Sequence, residues 1–272
     1  MKTRIIALVE VVAVFAGTLA AIAALASSPI EEWQMQLANR SFAEYALMIA
    51  LPLLCLLVSR RSLASYGCSL QNLRYHLDVT MTALIPVAAA SVAYPLVNSK
   101  EWDGALILMA INGVLLLVVA WLLHRKPTLG GESALAGVAL VGLSGGLAAK
   151  ATVGNAVSAL VFYVFFLGLG EELLFRGYIQ SRLNIAFGRP FTFSGVHWGW
   201  GALIASALFG LMHVINLGGL SSGQWHLTPW WGLWTLASGL VLAFVREKTG
   251  SIVAPAILHG LPQGIAYAFL GL

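Results

Sequence analysis

Charged residues are scarce in this sequence: lysine, arginine, aspartate and glutamate make up only 10% of its 272 residues. A soluble domain usually carries about 25% charged residues, so the composition excludes an ordinary water-soluble protein. Hydrophobic residues make up 59% of the chain, and the mean hydropathy is +0.86. The sequence therefore predicts an all-α protein, a polytopic bundle of transmembrane helices.

Other signatures are missing as well. The two cysteines, Cys55 and Cys68, form no Cys-x-x-Cys pair, so they indicate neither a disulfide framework nor a zinc site. The net charge of +4 comes from scattered basic residues, and no run of them is long enough to bind nucleic acid. No cofactor motif, low-complexity tract or internal repeat is visible. We therefore expect no cofactor, no metal and no nucleic-acid partner.

Apolar segments divide the chain into eight or nine predicted spans, since a helix needs about 20 mostly apolar residues to cross a bilayer. Residues 1–28 are either a secretory signal peptide or an uncleaved first helix with Glu10 facing the bundle, and their length favours the helix. Residues 60–78 are predicted to lie along the membrane surface. The further predicted spans are 42–59, 79–97, 104–123, 134–149, 151–175, 199–215, 229–245 and 252–272.

The distribution of lysine and arginine predicts the orientation of the bundle. If all nine segments cross, one set of polar ends holds only Arg40, Lys100 and Lys150. The other set holds Lys2, Arg4, Arg60, Arg61, Arg74, Arg125, Lys126, Arg176, Arg182, Arg189, Arg246 and Lys248. Because cytoplasmic loops carry an excess of basic residues, the N-terminus is predicted in the cytoplasm and the C-terminus outside. This asymmetry favours nine spans, because it is lost if the glycine-rich segment 134–149 does not cross.

Two adjacent carboxylates, Glu171 and Glu172, follow a strongly apolar run. An ionisable residue at membrane depth costs about 2.5–3.5 kcal/mol on insertion scales and is usually paired or functional. Arg176 follows Glu172 by four residues, the favourable order for a helical ion pair. Glu172 and Arg176 are therefore predicted to be structural, and Glu171, which lacks a local partner, to perform chemistry. The glycines at 168, 170 and 177 are predicted to allow close helix packing.

Two later spans carry one histidine each. His213 follows Phe209 by one helical turn, and His259 lies one turn before Gln263, with Pro262 predicted to kink the helix between them. Each polar residue alone is typical of hydrogen bonding between packed helices. Together with Glu171 they suggest amide hydrolysis without a covalent intermediate. A carboxylate beside an imidazole activates water, and a second imidazole with an amide stabilises an oxyanion.

The three motifs are Glu-Glu-x-x-x-Arg at 171–176, Phe-x-x-x-His at 209–213 and His-x-x-x-Gln at 259–263. In order and spacing they resemble the signatures of the CPBP family, the CAAX prenyl proteases and bacteriocin-processing (Abi) proteins. The resemblance covers residues 151–272 and implies a catalytic core in the four C-terminal spans, with residues 1–150 as N-terminal transmembrane helices. It also implies a glutamic-type intramembrane endopeptidase, in the plasma (inner) membrane, whose active site opens toward the cytoplasm.

The same resemblance implies a role for each motif residue. Glu171 would activate the attacking water with the help of His213, His259 would help to form the oxyanion site, and Glu172 with Arg176 would support the cavity. The third motif of the family usually ends in asparagine, and this chain has Gln263, which offers the same amide on a longer side chain. Asn216, the asparagine nearest to a motif, is the alternative oxyanion donor.

Alternatives remain for both mechanism and function. The expected partners are the lipid bilayer and a membrane-associated or lipidated protein or peptide as substrate. Metal-assisted hydrolysis is the alternative mechanism, because Glu171, His213 and His259 are of residue types that bind Zn²⁺, although no His-Glu-x-x-His motif is present. A non-enzymatic immunity or scaffold protein, or a proton-coupled transporter that uses the same buried groups, is the alternative function.

Two further features of the C-terminal half carry predictions. Residues 218–223, rich in glycine and serine, are predicted to be a plain connector, with a lid over the cavity as the alternative. Six tryptophans are predicted to anchor the bundle at the bilayer interface rather than to form a substrate site. They are Trp198, Trp200, Trp225, Trp230, Trp231 and Trp234.

Overall fold

The computed structural model describes residues 2–98, 100–124, 153–217, 219 and 225–270. Its helices are α1 (Lys2–Ala26), α2 (Pro29–Ala38), α3 (Phe42–Val58), α4 (Leu73–Ser91), α5 (Ala93–Leu96), α6 (Trp102–His124), α7 (Gly154–Phe187), α8 (Trp200–Ile215), α9 (Pro229–Thr249) and α10 (Val253–Ile265). A 3-10 turn covers Leu63–Tyr66, and a small antiparallel hairpin pairs β1 (Phe191–Phe193) with β2 (Val196–Trp198). The predicted all-α bundle is confirmed.

The predicted number of spans is not confirmed. Within the described ranges, α1, α6 and α7 are long and apolar enough to cross a membrane. Helices α2 and α3 pass the same test only together, and they are bent by 117° where they meet, so that this broken pair would make a fourth span. The segment 134–149, on which the choice between eight and nine depended, lies outside the described residues. So do Arg125, Lys126 and Lys150.

Helix α7 runs on to Phe187 instead of ending at residue 175. The polar residues of its second half find partners inside the bundle, which removes the cost of burying them. Arg182 Nε donates to Glu10 Oε2 at 3.0 Å, and Gln180 Nε2 donates to the Ala243 carbonyl at 3.2 Å. Apolarity alone therefore underestimates the length of this helix.

Backbone geometry explains the other differences from the sequence predictions. Helix α2 begins with Ser28, whose side chain accepts a hydrogen bond from the Ile30 amide at 3.3 Å, and with proline at the first turn. The hairpin turns at Ser194 and Gly195, both with positive φ. Residues 60–78 do not form one surface helix, since Gly67 and Asn72 have φ of 81° and 57° and interrupt it.

Helix α1 is held to the bundle by Glu10, which faces inward as predicted. Its carboxylate accepts hydrogen bonds from Arg61, Tyr178 and Arg182, and the Arg61 Nη2 to Glu10 Oε2 distance is 2.9 Å. Apolar residues of α1, α3, α7 and α8 form one continuous core around this cluster. The carboxylate of Glu10 thus connects α1 to α7 and to the segment that follows α3.

Glycines bring α10 against α7 at the level of Glu171. A Cβ atom on Gly260 would lie 2.0 Å from the Tyr163 carbonyl oxygen, and one on Gly168 would lie 2.6 Å from the Ala256 carbonyl oxygen. The two backbones therefore touch, as the glycine at 168 predicted. This contact sets the distance between the carboxylates of α7 and the histidine of α10.

Replacing Gly260 by alanine is expected to lower the free energy of unfolding by about 1–3 kcal/mol, because the new methyl group forces α10 away from α7. The measurement is the unfolding transition of the purified protein in detergent. Gly113→Ala in α6 is the control, since nothing lies within 4 Å of a Cβ atom there. Equal stability of the two variants would show that the backbone contact is not as tight as described.

Candidate active site

A buried ionic cluster lies at the centre of the bundle. Glu172 Oε1 accepts hydrogen bonds from Arg176 Nη1 at 2.8 Å and from His259 Nδ1 at 2.9 Å. Arg176 Nη2 donates to the Gly239 carbonyl of α9 at 3.0 Å. Glu172 and Arg176 are fully buried, with 0% exposure. The predicted helical ion pair is present, and it also connects α7 to α9 and α10.

The local shape of α7 is unusual around the two carboxylates. A single α-helical turn, Leu169–Glu172, lies between two π-helical stretches, Phe162–Gly168 and Leu173–Gln180. Short π-helical insertions are rare and occur frequently at functional sites. Glu171 and Glu172 both lie in the α-helical turn, where neighbouring side chains point about 100° apart, so the two carboxylates face different surroundings.

Glu171 lies beside His259 rather than in the ion pair. Its Oε2 atom is 3.6 Å from His259 Nε2, a polar contact longer than a hydrogen bond. Because a carboxylate oxygen of Glu172 can only accept, His259 Nδ1 carries the proton of that bond, and Nε2 is the nitrogen that faces Glu171. The Tyr45 side chain of α3 interacts with the same carboxylate. Glu171 thus acquires partners on two other helices.

His213 is oriented by its own helix. Its Nδ1 atom is 2.8 Å from the Phe209 carbonyl, which can only accept, so Nδ1 carries the proton and Nε2 is left for a substrate or water. The Phe209 ring lies between the two imidazoles, with centroid distances of 4.7 Å to His213 and 5.7 Å to His259. The guanidinium carbon of Arg176 lies 4.7 Å from the centroid of the same ring. Phe209 therefore spaces the histidines and covers the buried cation.

The three motifs meet at one cavity of about 880 Å³. Glu171, His213, His259 and Gln263 all line it, and so does Asn216, the alternative amide. Glu172 and Arg176 do not line the cavity and are fully buried behind its wall. The sequence prediction that these groups converge is thus supported in geometry, while the choice between Gln263 and Asn216 stays a prediction.

Tryptophans contribute more to the cavity than the sequence indicated. Trp230, Trp231 and Trp234 line it, and the Trp231 ring lies 5.2 Å from His213, so the prediction that they serve only as interfacial anchors is wrong for these three. Their side chains face the bundle because α9 packs against α8 through a contact of Gly232 with the Gly210 backbone. Trp200 and Trp225 are exposed, as expected of anchors.

Helices before residue 150 also supply cavity walls, which the motifs did not indicate. Tyr45 of α3, Tyr94 of α5 and Asn112 of α6 line the cavity. A tyrosine or asparagine in an apolar helix has no local sequence signal that separates packing from function. The described core is therefore shared between the two proposed segments, 1–150 and 151–272.

The cavity extends from Glu171 to one end of the bundle. We call this the cavity end; it is formed by the end of α8 and the start of α9, where exposed Lys100 and His226 line the cavity. Arg176 lies one helical turn from Glu172 in the opposite direction. The expectation of a cytoplasm-facing site came from the family resemblance and agreed with a cytoplasmic position of Arg176. The structure places Arg176 on the sealed side of the cavity, and the cytoplasm-facing site stays a prediction. The predicted lid segment lies, except for Gly219, outside the described residues.

Glu171, His213 and His259 are the zinc ligands of the alternative mechanism that the sequence left open. Within residues 2–98, 100–124, 153–217, 219 and 225–270, no group of three histidine, cysteine, aspartate or glutamate side chains is arranged to hold a metal ion. In this structure His259 Nδ1 is hydrogen-bonded to Glu172, so Nε2 is the ring nitrogen that faces Glu171.

Comparison with known proteins agrees with the motifs. Residues 153–264 match the family model described as type II CAAX prenyl endopeptidase Rce1-like. All three motifs fall within the match, which confirms the resemblance of this segment to that family. Together with the apolar helices, the match indicates an integral membrane protein. No curated protein and no solved structure matches the chain.

Replacing Arg176 by methionine is expected to lower the free energy of unfolding by about 3–5 kcal/mol, because it leaves Glu172 charged and buried. The double variant Glu172→Gln with Arg176→Met should lose less than the sum of the single variants, which an unfolding titration in detergent would measure. Arg74→Met at the exposed start of α4 is the control and should change little. Additive losses would show that the ion pair is not coupled.

Proposed function

We propose that the chain is a glutamic-type intramembrane endopeptidase that hydrolyses a peptide bond of a membrane-associated or lipidated protein or peptide. The observation that carries this proposal is the position of Glu171. Its carboxylate lies in the wall of a largely apolar cavity inside the bundle, with the Nε2 atom of His259 at 3.6 Å. The Rce1-like match supports a CAAX-type intramembrane protease in general.

In the proposed reaction Glu171, assisted by His213, takes a proton from a water molecule. The hydroxide attacks the carbonyl carbon of the scissile bond. The developing oxyanion accepts hydrogen bonds from the Gln263 amide and from Nε2–H of His259, which in this scheme is the imidazolium and donates from both ring nitrogens. When the tetrahedral intermediate collapses, the carbon–nitrogen bond breaks and the leaving amine takes the proton from Glu171. The products are a new carboxylate and a new amine, and no covalent enzyme intermediate forms.

Glu172 and Arg176 act as positioning residues in this scheme. The hydrogen bond from His259 Nδ1 to Glu172 fixes the imidazole so that Nε2 points toward Glu171 and the cavity. Arg176 neutralises Glu172 at 2.8 Å and keeps it an acceptor. We further propose that residues 151–272 form the catalytic core of a plasma (inner) membrane protein, with the earlier helices completing the cavity wall.

Glu171→Gln is expected to abolish cleavage while the protein remains folded, because glutamine cannot accept the proton of water. Comparative proteomics of membrane peptides from cells that contain wild-type or variant protein measures the loss and names the substrate. Purified protein in liposomes with a prenylated CAAX peptide tests one substrate class directly. Glu44→Gln is the control, since Glu44 is also buried and hydrogen-bonded to Gln34 at 2.6 Å, but outside the cavity wall.

The outcomes of this experiment separate the function classes. Full cleavage by Glu171→Gln would contradict the glutamate-base mechanism. Cellular function without any cleavage by the wild-type protein would favour a scaffold or immunity protein, and proton flux that stops in Glu171→Gln would favour a transporter. Activity that a chelator removes and zinc restores would favour metal-assisted hydrolysis.

Replacing Gln263 by alanine is expected to lower kcat by about 10²–10³ with little change in KM, the effect of losing one oxyanion donor. Asn216→Ala is the matched variant, because both amides line the cavity. Steady-state kinetics on the substrate found by proteomics measures both. A large loss in Asn216→Ala and none in Gln263→Ala would transfer the role to Asn216.

A further inference from the structure

Basic residues are unevenly distributed between the two ends of the described bundle. We call the end opposite the cavity end the basic end; it carries Lys2, Arg4, Arg60, Arg61, Arg74, Arg182, Arg189, Arg246 and Lys248. Contacts between distant parts of the chain show that these residues share one end. Arg61 and Arg182 both bind Glu10, Arg189 Nε donates to Glu247 Oε2 at 2.7 Å, and Ser251 Oγ donates to the Gly67 carbonyl at 3.2 Å.

The cavity end holds far fewer basic residues. Within the described ranges it carries Arg40 and Lys100. Segments that remain in the cytoplasm carry the excess of lysine and arginine, so the basic end is the cytoplasmic end of the bundle. The count of described residues leads to this orientation without Arg176, which is buried inside the bundle, and without the basic residues outside the described ranges.

The bundle is closed between Glu171 and the basic end. Glu172, Phe175 and Arg176 have 0% exposure, and two hydrogen bonds join α7 to α9 across this region. Arg176 Nη2 donates to the Gly239 carbonyl at 3.0 Å, and Gln180 Nε2 donates to the Ala243 carbonyl at 3.2 Å. Toward the cavity end, in contrast, the wall continues through Asn216 to exposed Lys100 and His226.

From these observations we propose that substrate reaches Glu171 from the extracytoplasmic side of the membrane. The inference rests on the proposed function and specifies the substrate class: an apolar peptide segment presented at the outer leaflet. Trp230, Trp231 and Trp234 form an aromatic wall along the path, suited to an apolar chain. Lys100 adds a cation at the entrance, which favours a substrate with an acidic group or a terminal carboxylate beside the apolar segment.

The orientation is tested by cysteine labelling in intact cells. The background carries Cys55→Ser and Cys68→Ser, since these are the two native cysteines. A membrane-impermeant maleimide is expected to label Lys100→Cys in intact cells and Arg60→Cys only after the cells are lysed. The opposite pattern would overturn the proposal. Because labelling does not require cleavage, this outcome is independent of whether the chain is a protease.

The path to the site is tested by a cysteine deeper in the cavity. Ser238→Cys in α9 lines the cavity, whereas Ser206→Cys in α8 has 0% exposure and is the matched control. A small impermeant methanethiosulfonate added outside the cells should modify Ser238→Cys and not Ser206→Cys. The same result is expected when each variant also carries Glu171→Gln. Modification of Ser238→Cys only from the cytoplasmic side would overturn the proposal. If the expected cysteine modification is observed but the wild-type protein cleaves no peptide, the proposed function is contradicted and the access route is supported.

Discussion

A carboxylate that is removed from water must be compensated by the protein, and the arrangement of this bundle follows from how Glu172 is compensated. One oxygen of Glu172 accepts from Arg176 of the same helix and from His259 of α10. Arg176 in turn donates to the backbone of α9 and covers the ring of Phe209 on α8. Four helices, α7, α8, α9 and α10, therefore meet at one ionic cluster. Its contacts hold together the helices that carry the candidate catalytic residues.

Glu172 and Glu171 are neighbouring residues of the same type, but their carboxylates have different surroundings. Glu172 accepts two hydrogen bonds through Oε1 and is fully buried behind the cavity wall, so its charge is held in place. Glu171 lines the cavity, and its Oε2 atom has no hydrogen-bond donor among the described residues and lies next to His259 Nε2. A group that exchanges protons with water or substrate needs both such an oxygen and access to the cavity. The angle of about 100° between consecutive residues of this helical turn separates the two environments.

Much of the site could be predicted from the sequence, because membrane burial makes every polar residue conspicuous. Glu171, Glu172, Arg176, His213 and His259 stood out against apolar surroundings, and the ion pair followed from a spacing of four. The contact of His259 with both carboxylates could not be predicted, since it depends on the backbone contact between Gly260 and Tyr163. The cavity role of Trp231 was missed for the same reason: interfacial and inward-facing tryptophans have the same sequence signal.

The fold was predictable in type but less so in detail. Apolar length identified α1, α3, α6 and α7, yet it underestimated α7, whose polar residues are paired internally, as at Gln180 and Arg182. This effect depends on partners that are distant in sequence. Hydropathy averages over such features, which is why the number of crossings was the weakest of the predictions.

The sealed floor beneath Glu171 has a kinetic consequence. In the described part of the bundle, the cavity leads to one end only. In the proposed reaction, the amine and carboxylate fragments would therefore leave along the route by which the intact substrate arrives. Departure of one fragment and arrival of the next substrate would compete for the same passage between aromatic side chains, so that release of apolar fragments would limit turnover.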